Sequence, residues 1–289
     1  MQYFEFANGV KIPMVGLGTY PLTGEVLTTT IKDAVEIGYE LFDTATAYNN
    51  ESEIGKLVGD GVLNLDKVFV TSKIHNNILL GRKRYLHLDR KTVKRCYADS
   101  CLKLNMQKIS AYLLHQPFNG CSKHYKDLMS LYDEGKVGVI GVSNFDIREL
   151  NELHNKCGRW PMMNQTEISP YNNQKDLISF CKDNGILVQA YSPFGRGNLV
   201  NELMNDKTLV SIAEVHEKTV GQIVLRFIVQ QGVAVVARST NHDRLQQNIS
   251  IFDFELSEEE MAIISSLNRN VVFGVNQINK YNKKYQISI

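Results

Sequence analysis

The sequence predicts an α/β protein, a (β/α)8 TIM barrel with an N-terminal β-hairpin and a C-terminal tail. Three observations carry this. Strand-like and helix-like segments alternate through most of the chain. Several strand-like runs, such as Val233-Ala234-Val235-Val236-Ala237, are apolar throughout, as expected of parallel strands buried on both faces. Asp43, Tyr48, Lys73 and His115 each fall shortly after such a run, and the C-terminal strand ends of a parallel barrel share one face. A doubly wound open sheet is the alternative. Its nucleotide fingerprint is missing, because neither Gly16-x-Gly18 nor Gly195-x-Gly197 is followed by the required third glycine.

Asn8-Gly9 between β-like flanks signals the hairpin. The first barrel strand spans 15–19, and a helix over 25–37 stops at Gly38. The second strand ends at Asp43, with a short helix over 52–58. The third strand is 68–72. A long helix runs from Asp89, a good cap residue, to about Leu104. Strand four is 111–115, the next helix 123–134, strand five 139–143 and a further helix 146–155. Strand six covers 162–167, a helix 173–184 and strand seven 187–191. Two helices over 206–217 and 220–230 lead to strand eight, 233–237. A helix follows over 241–249, and Ser257-Glu258-Glu259-Glu260 is a capping box for the last one. The tail from Asn268 has no clear period.

A length of 289 residues suits one such barrel, and no Pro/Gly/Ser linker interrupts it, so residues 1–289 read as a single domain. The formal net charge of +1 gives no electrostatic case for a nucleic-acid or acidic-membrane partner. No apolar run approaches a membrane span, and no secretory signal is visible. Five scattered cysteines without a Cys-x-x-Cys pair suit reduced thiols in a cytoplasmic protein. Seven histidines without His-Glu-x-x-His give no metal site, and Gly141-x-Ser143 lacks the second glycine of a nucleophile elbow.

The four groups at strand ends suggest proton chemistry on a carbonyl. A phenol is a poor acid at neutral pH, and a nearby ammonium would lower its pKa. Lys73 could supply that charge, with Asp43 holding it protonated and oriented. His115 could donate a hydrogen bond to a carbonyl oxygen. Each residue alone also fits a structural role: a half-buried tyrosine, a turn aspartate, an ion pair, a core histidine. Lys73 as a Schiff-base nucleophile is a second function, and a nucleotide-binding regulatory module a third. Arg238-Ser239-Thr240-Asn241-His242-Asp243-Arg244 combines two guanidiniums, two hydroxyls and a helix N-terminus, which suits a phosphate or simply a solvated turn.

Gly38-Tyr39-Glu40-Leu41-Phe42-Asp43-Thr44-Ala45, with Tyr48 and Asn50-Glu51, resembles the signature of the aldo-keto reductases. Thr71-Ser72-Lys73, Leu113-Leu114-His115-x-Pro117 and Gly141-Val142-Ser143-Asn144-Phe145 resemble its further blocks. So do Asn164-Gln165-x-Glu167-x-x-Pro170-Tyr171, Gln189-Ala190-Tyr191-Ser192-Pro193, and Arg238-Ser239 with Arg244 and Asn248. The resemblance covers nearly the whole chain and implies a monomer that reduces aldehydes or ketones with NADPH. It implies Tyr48 as general acid, Lys73 and Asp43 as its tuning partners and His115 as the orienting residue. It places Ser143, Asn144 and Gln165 on the nicotinamide carboxamide and Tyr191 against its ring. Gly18, Thr19, Ser192, Arg238, Ser239, Thr240, Arg244, Gln247 and Asn248 complete the implied cofactor contacts, with Tyr20 and Gln116 facing substrate.

Four departures from the family pattern matter. Arg238 stands where lysine is commoner, and Gln247 where an acidic residue often meets the adenine. NADPH use is still expected, with NADH open. Gln116 stands where many members carry tryptophan, which makes the pocket more polar. Ile74-His75-Asn76-Asn77 differs from the usual sequence after the lysine.

Overall fold

The computed structural model describes residues 1–76 and 92–271. The chain turns first at Asn8-Gly9, with Gly9 at φ +80°, a left-handed value that a residue without Cβ adopts cheaply. β1 (Tyr3–Glu5) and β2 (Lys11–Pro13) pair antiparallel across it, Phe4 opposite Ile12. Ile12 is fully buried, and Asn8 Nδ2 donates to Gly138 O at 2.9 Å. The hairpin is thereby pinned where a barrel strand begins.

Eight parallel strands follow: β3 (Val15–Gly18), β4 (Leu41–Asp43), β5 (Phe69–Ile74), β6 (Ile109–Leu114), β7 (Val137–Ser143), β8 (Met163–Glu167), β9 (Leu187–Tyr191) and β10 (Ala234–Ala237). Each pairs with the next, and β10 pairs with both β9 and β3, which closes the ring. β4, β5, β7, β8 and β10 are buried at every position, which is why their sequences do not alternate. Close strand approach is built in at Gly141, where an added Cβ would lie 2.3 Å from Met163 O.

The described helices are α1 (Gly24–Ile37), α2 (Glu51–Gly59), α3 (Val93–Leu104), α4 (Cys121–Asp133), α5 (Ile147–Cys157), α6 (Lys175–Asp183), α7 (Asn198–Met204), α8 (Lys207–Val215), α9 (Val220–Gln230), α10 (His242–Ile249) and α11 (Glu258–Ser266). Gly38 ends α1 at φ +103°, as its sequence predicts. Asp146, Thr219 and Ser257 each form a capping box with the residue three on.

The expected cap Asp89 lies outside the described residues. Thr92 caps α3 instead, its side chain accepting from Arg95 N at 3.2 Å. α7 is an addition. It spans only seven residues after a Gly-Arg-Gly segment, too short to show a period. No helix among the described residues is long and apolar enough to cross a membrane, and none of the five cysteines is joined in a disulfide.

Candidate active site

β4 ends at Asp43, β5 carries Lys73 one residue from its end, and His115 follows β6. The parallel ring brings these three ends to one face. Lys73 is fully buried and its Nζ lies 2.6 Å from Asp43 Oδ1. Asp43 Oδ2 accepts from Gln165 Nε2 at 2.6 Å, and the same Nε2 donates to Gln189 Oε1 at 2.6 Å. Both amide hydrogens of Gln165 are thus used within the barrel, and its Oε1 is left for a ligand. Gln189 is fully buried, and its Nε2 has no partner among the described residues.

Tyr48 closes a single 3₁₀ turn, Thr46–Tyr48. Two anchors fix that turn. Thr46 Oγ1 donates to Lys73 O at 3.0 Å and accepts from His75 N at 3.1 Å. Asn50 accepts from Thr44 Oγ1 at 2.6 Å and donates to Thr19 Oγ1 at 3.1 Å and Leu22 O at 3.0 Å. The Tyr48 ring then stands 5.3 Å from Lys73 Nζ and edge-on to the His115 ring at 5.7 Å. Tyr20 packs on its other side at 5.0 Å.

Electrostatics at this face favour neutral rings. Burial pushes the Tyr48 phenol well above its ordinary value; the Asp43 carboxylate adds to this, and the Arg196 guanidinium opposes it. The net direction is upward, against the lowering expected from Lys73, because burial is the largest cause. The Lys73 ammonium is itself engaged by Asp43 at 2.6 Å. Burial lowers Lys73 itself, with Asp43 opposing. Burial pulls His115 well below its ordinary value, helped by Lys73 and His75, and its Nδ1 has no hydrogen-bond partner among the described residues. Burial pulls His75 down to about 4.

A second cluster lies beside the first. Ser143 Oγ and Asn144 N both donate to Gln165 O at 2.8 Å. Asn144, at φ +67°, donates through Nδ2 to His115 O at 3.0 Å and accepts from the Tyr191 hydroxyl at 2.6 Å. Arg196 donates to Ser192 Oγ at 2.8 Å and holds its guanidinium 5.4 Å from the Tyr191 ring centre. Past β10, Ala237 pairs with Leu17, which brings Arg238 alongside Gly18. Ser239 and Asn248 are buried, Gln247 and Gln116 are half-buried, and Arg238, Thr240 and Arg244 are exposed. Asn241 caps α10 by accepting from Arg244 N at 2.9 Å.

Residues 14–269 match the model of the Aldo/keto reductase family. The chain belongs to that family. This aldo/keto reductase is 36% identical over 273 residues to the uncharacterized oxidoreductase YtbE of Bacillus subtilis, with 92% of this chain and 93% of the relative covered. It is also 36% identical to the glyoxal reductase of the same organism, covering 93% and 94%. Among solved structures, the aldo-keto reductase MGS-M4 from a Medee basin deep-sea metagenome library superposes with a TM-score of 0.85 at 30% identity, covering 93% of this chain and 96% of that one. The chain is therefore an oxidoreductase of a carbonyl-reducing, nicotinamide-using family.

Three groups of this aldo/keto reductase's site escaped the sequence. Thr46 and Arg196 act through hydrogen bonds that no local pattern announces. His75 sat inside a noted departure, and its signal was the period of two from Lys73, which places both on one strand face. His75 also predicts a pH effect. Its folded value of about 4 lies below the ordinary 6.5, so between them the unfolded chain binds the extra proton. Stability is therefore expected to fall as pH drops from about 6.5 to about 4, by roughly 2–3 kcal/mol from this residue. Urea midpoints of wild type and His75→Phe across that window check it; equal losses would remove His75 as the cause.

Proposed function

We propose that this chain reduces small aldehydes and ketones to alcohols with NADPH, Tyr48 acting as general acid. The observation that carries the reading is the meeting of Tyr48, His115 and the Lys73–Asp43 pair at one barrel end. The glyoxal reductase of B. subtilis, a relative, supports a small carbonyl substrate by its name.

The residues fit a nicotinamide cofactor. Gln165 offers an acceptor, Ser143 and Asn144 offer polar atoms, and Tyr191 offers a flat ring, together matching a carboxamide on an aromatic ring. A bound reduced nicotinamide would supply the hydride. Gly18, Thr19 and Ser192 would line its path, and Gln247 and Asn248 would meet the adenine. His115, neutral at working pH, donates to the carbonyl oxygen and fixes its direction. Tyr48, kept protonated by burial, gives its proton to the oxygen as negative charge builds there. The Lys73 ammonium, held by Asp43, faces the Tyr48 ring where phenolate charge then grows. Tyr20 and Gln116 border the substrate. The ion pair with Asp43 disfavours Lys73 as a Schiff-base nucleophile, which needs a free amine. The reading extends to a cytoplasmic monomer that acts on small molecules rather than nucleic acid.

Nicotinamide absorbance, followed with a panel of aldehydes, ketones and dicarbonyls, tests the function. Substrate-dependent loss of NADPH is expected. Tight NADPH binding without turnover on any member of the panel would favour a regulatory module instead. Arg238 and Arg244, exposed beside the α10 N-terminus, are assigned to the 2′-phosphate. Arg238→Ala is expected to weaken NADPH about 10- to 100-fold, as loss of a charge-assisted hydrogen bond does, with NADH little changed. Fluorescence titration with both cofactors checks it, and equal losses would remove Arg238 from phosphate recognition. The same titration of the wild-type chain decides whether NADH serves as a second cofactor.

A further inference from the structure

We propose that Gln189 is a positioning residue for the cofactor: it fixes the plane of the Gln165 amide, so that Gln165 Oε1 faces the carboxamide of a bound nicotinamide. This rests on the reading above, in which Gln165 meets that carboxamide.

Packing alone does not call for Gln189. It sits in β9 among Leu187, Val188 and Ala190, and it is fully buried. Sinking an amide into a barrel core costs free energy unless its polar atoms are met. Here one of the two is met. Gln189 Oε1 accepts from Gln165 Nε2 at 2.6 Å, while Gln189 Nε2 has no partner among the described residues. The neighbouring strands explain the difference. Gln189 lies between Gln165 on β8 and Ala234 on β10, and the alanine side chain has no polar group to offer. An aliphatic residue would fill the place without that cost. What Gln189 adds is one acceptor, aimed at Gln165.

That acceptor has a geometric consequence. Asp43 Oδ2 takes one hydrogen of Gln165 Nε2 at 2.6 Å. This bond decides which end of the amide faces Asp43, because the Oε1 end would meet a carboxylate oxygen. It leaves the amide free to turn about the N–H···O line. The two hydrogens of an amide nitrogen lie in the plane of the amide. A second acceptor therefore fixes that plane, and with it the direction of Oε1. Gln189 and Tyr191 are two residues apart on β9, so they share a face of the strand. The fork that orients Gln165 thus stands one layer beneath the ring assigned to the nicotinamide.

The test titrates wild type, Gln189→Met and Gln189→Glu, each free of cofactor, by calorimetry. The ligands are NADP, its 3-acetylpyridine analogue and 2′-phospho-ADP-ribose. The analogue carries a methyl group in place of the carboxamide NH2, and 2′-phospho-ADP-ribose lacks the nicotinamide. Wild type is expected to bind NADP about tenfold more tightly than the analogue, the size of one neutral hydrogen bond. Methionine keeps the length of the side chain and removes the acceptor. In Gln189→Met the preference should fall to about twofold or less, as loss of that bond requires, with 2′-phospho-ADP-ribose bound as before. Ring electronics of the analogue are common to all three proteins and cancel between them. Gln189→Glu should keep the preference. Buried near the Asp43 carboxylate, its carboxyl stays protonated and its carbonyl oxygen accepts from Gln165. A merely structural role would weaken all three ligands together. If Gln189→Met does not fold, as judged by circular dichroism, Gln189→Leu takes its place. An undiminished preference in the folded aliphatic variant, or its loss in Gln189→Glu as well, would overturn the role of Gln189 alone. A wild-type chain that binds NADP without any preference over the analogue would remove Gln165 from the carboxamide, and one that binds no NADP would overturn the cofactor reading; this proposal falls with either.

Discussion

Tyr48→Phe is expected to lower kcat by about 10²- to 10⁴-fold, the usual contribution of a positioned acid, while NADPH affinity stays near wild type. The substitution removes one oxygen and keeps the ring that packs between Tyr20 and His115 at 5.0 and 5.7 Å, so the fold has no reason to change. The loss should sit in kcat rather than KM, because proton transfer matters in the transition state and little in the ground state. A pH profile sharpens the test. Burial and Asp43 hold the phenol above its ordinary value of 10.0, so the alkaline fall in wild-type reduction should lie above that pH. A variant that keeps turnover within a few-fold of wild type would remove Tyr48 from the acid's role. A wild-type alkaline limb near neutrality would assign proton donation to another group.

Much of this site was legible because strand ends are legible. Lys73 follows an apolar run and Asp43 ends another, and a closed parallel ring has one place for both. The cluster of Ser143, Asn144 and Gln165 came only through resemblance, since a serine and an asparagine after a strand look like a helix cap. What stayed hidden depends on contacts between loops. Thr46 is an ordinary threonine until its hydroxyl is seen between Lys73 O and His75 N. Arg196 is a loop arginine between two glycines until it is seen against Tyr191. The direction of the Tyr48 shift was also out of reach of the sequence. It is set first by how deeply the phenol is buried, which only the folded barrel decides. The start of α3 shows the same limit at element scale, because Thr92 and Asp89 are equally good caps by type.

Asp43→Asn is expected to cost about 3–5 kcal/mol of stability at neutral pH, the range for removing one partner of a buried ion pair. The carboxylate is 4% exposed and accepts from both Lys73 Nζ and Gln165 Nε2 at 2.6 Å. Asparagine keeps the shape and removes the charge, so no cavity confuses the result. What remains is an ammonium with no exposure and no counter-charge. Burial already lowers the pKa of Lys73 and Asp43 opposes it, so the variant's lysine should fall further and shed its proton on folding. The unfolded chain then holds the extra proton, and the variant's stability should rise with pH up to the ordinary lysine value of 10.5. The pair in wild type resists this by keeping both charges together. The double variant Asp43→Asn/Lys73→Met supplies the control. It removes the stranded charge, and a well-packed apolar chain in place of a buried ion is often neutral or better. It should therefore recover more than half of the loss while remaining inactive. Denaturant unfolding of the three proteins at two pH values decides the matter. A single variant within about 1 kcal/mol of wild type would mean that water or another group already shields Lys73. A double variant no more stable than the single would place the loss in the Asp43–Gln165 contact rather than in the unpaired ammonium.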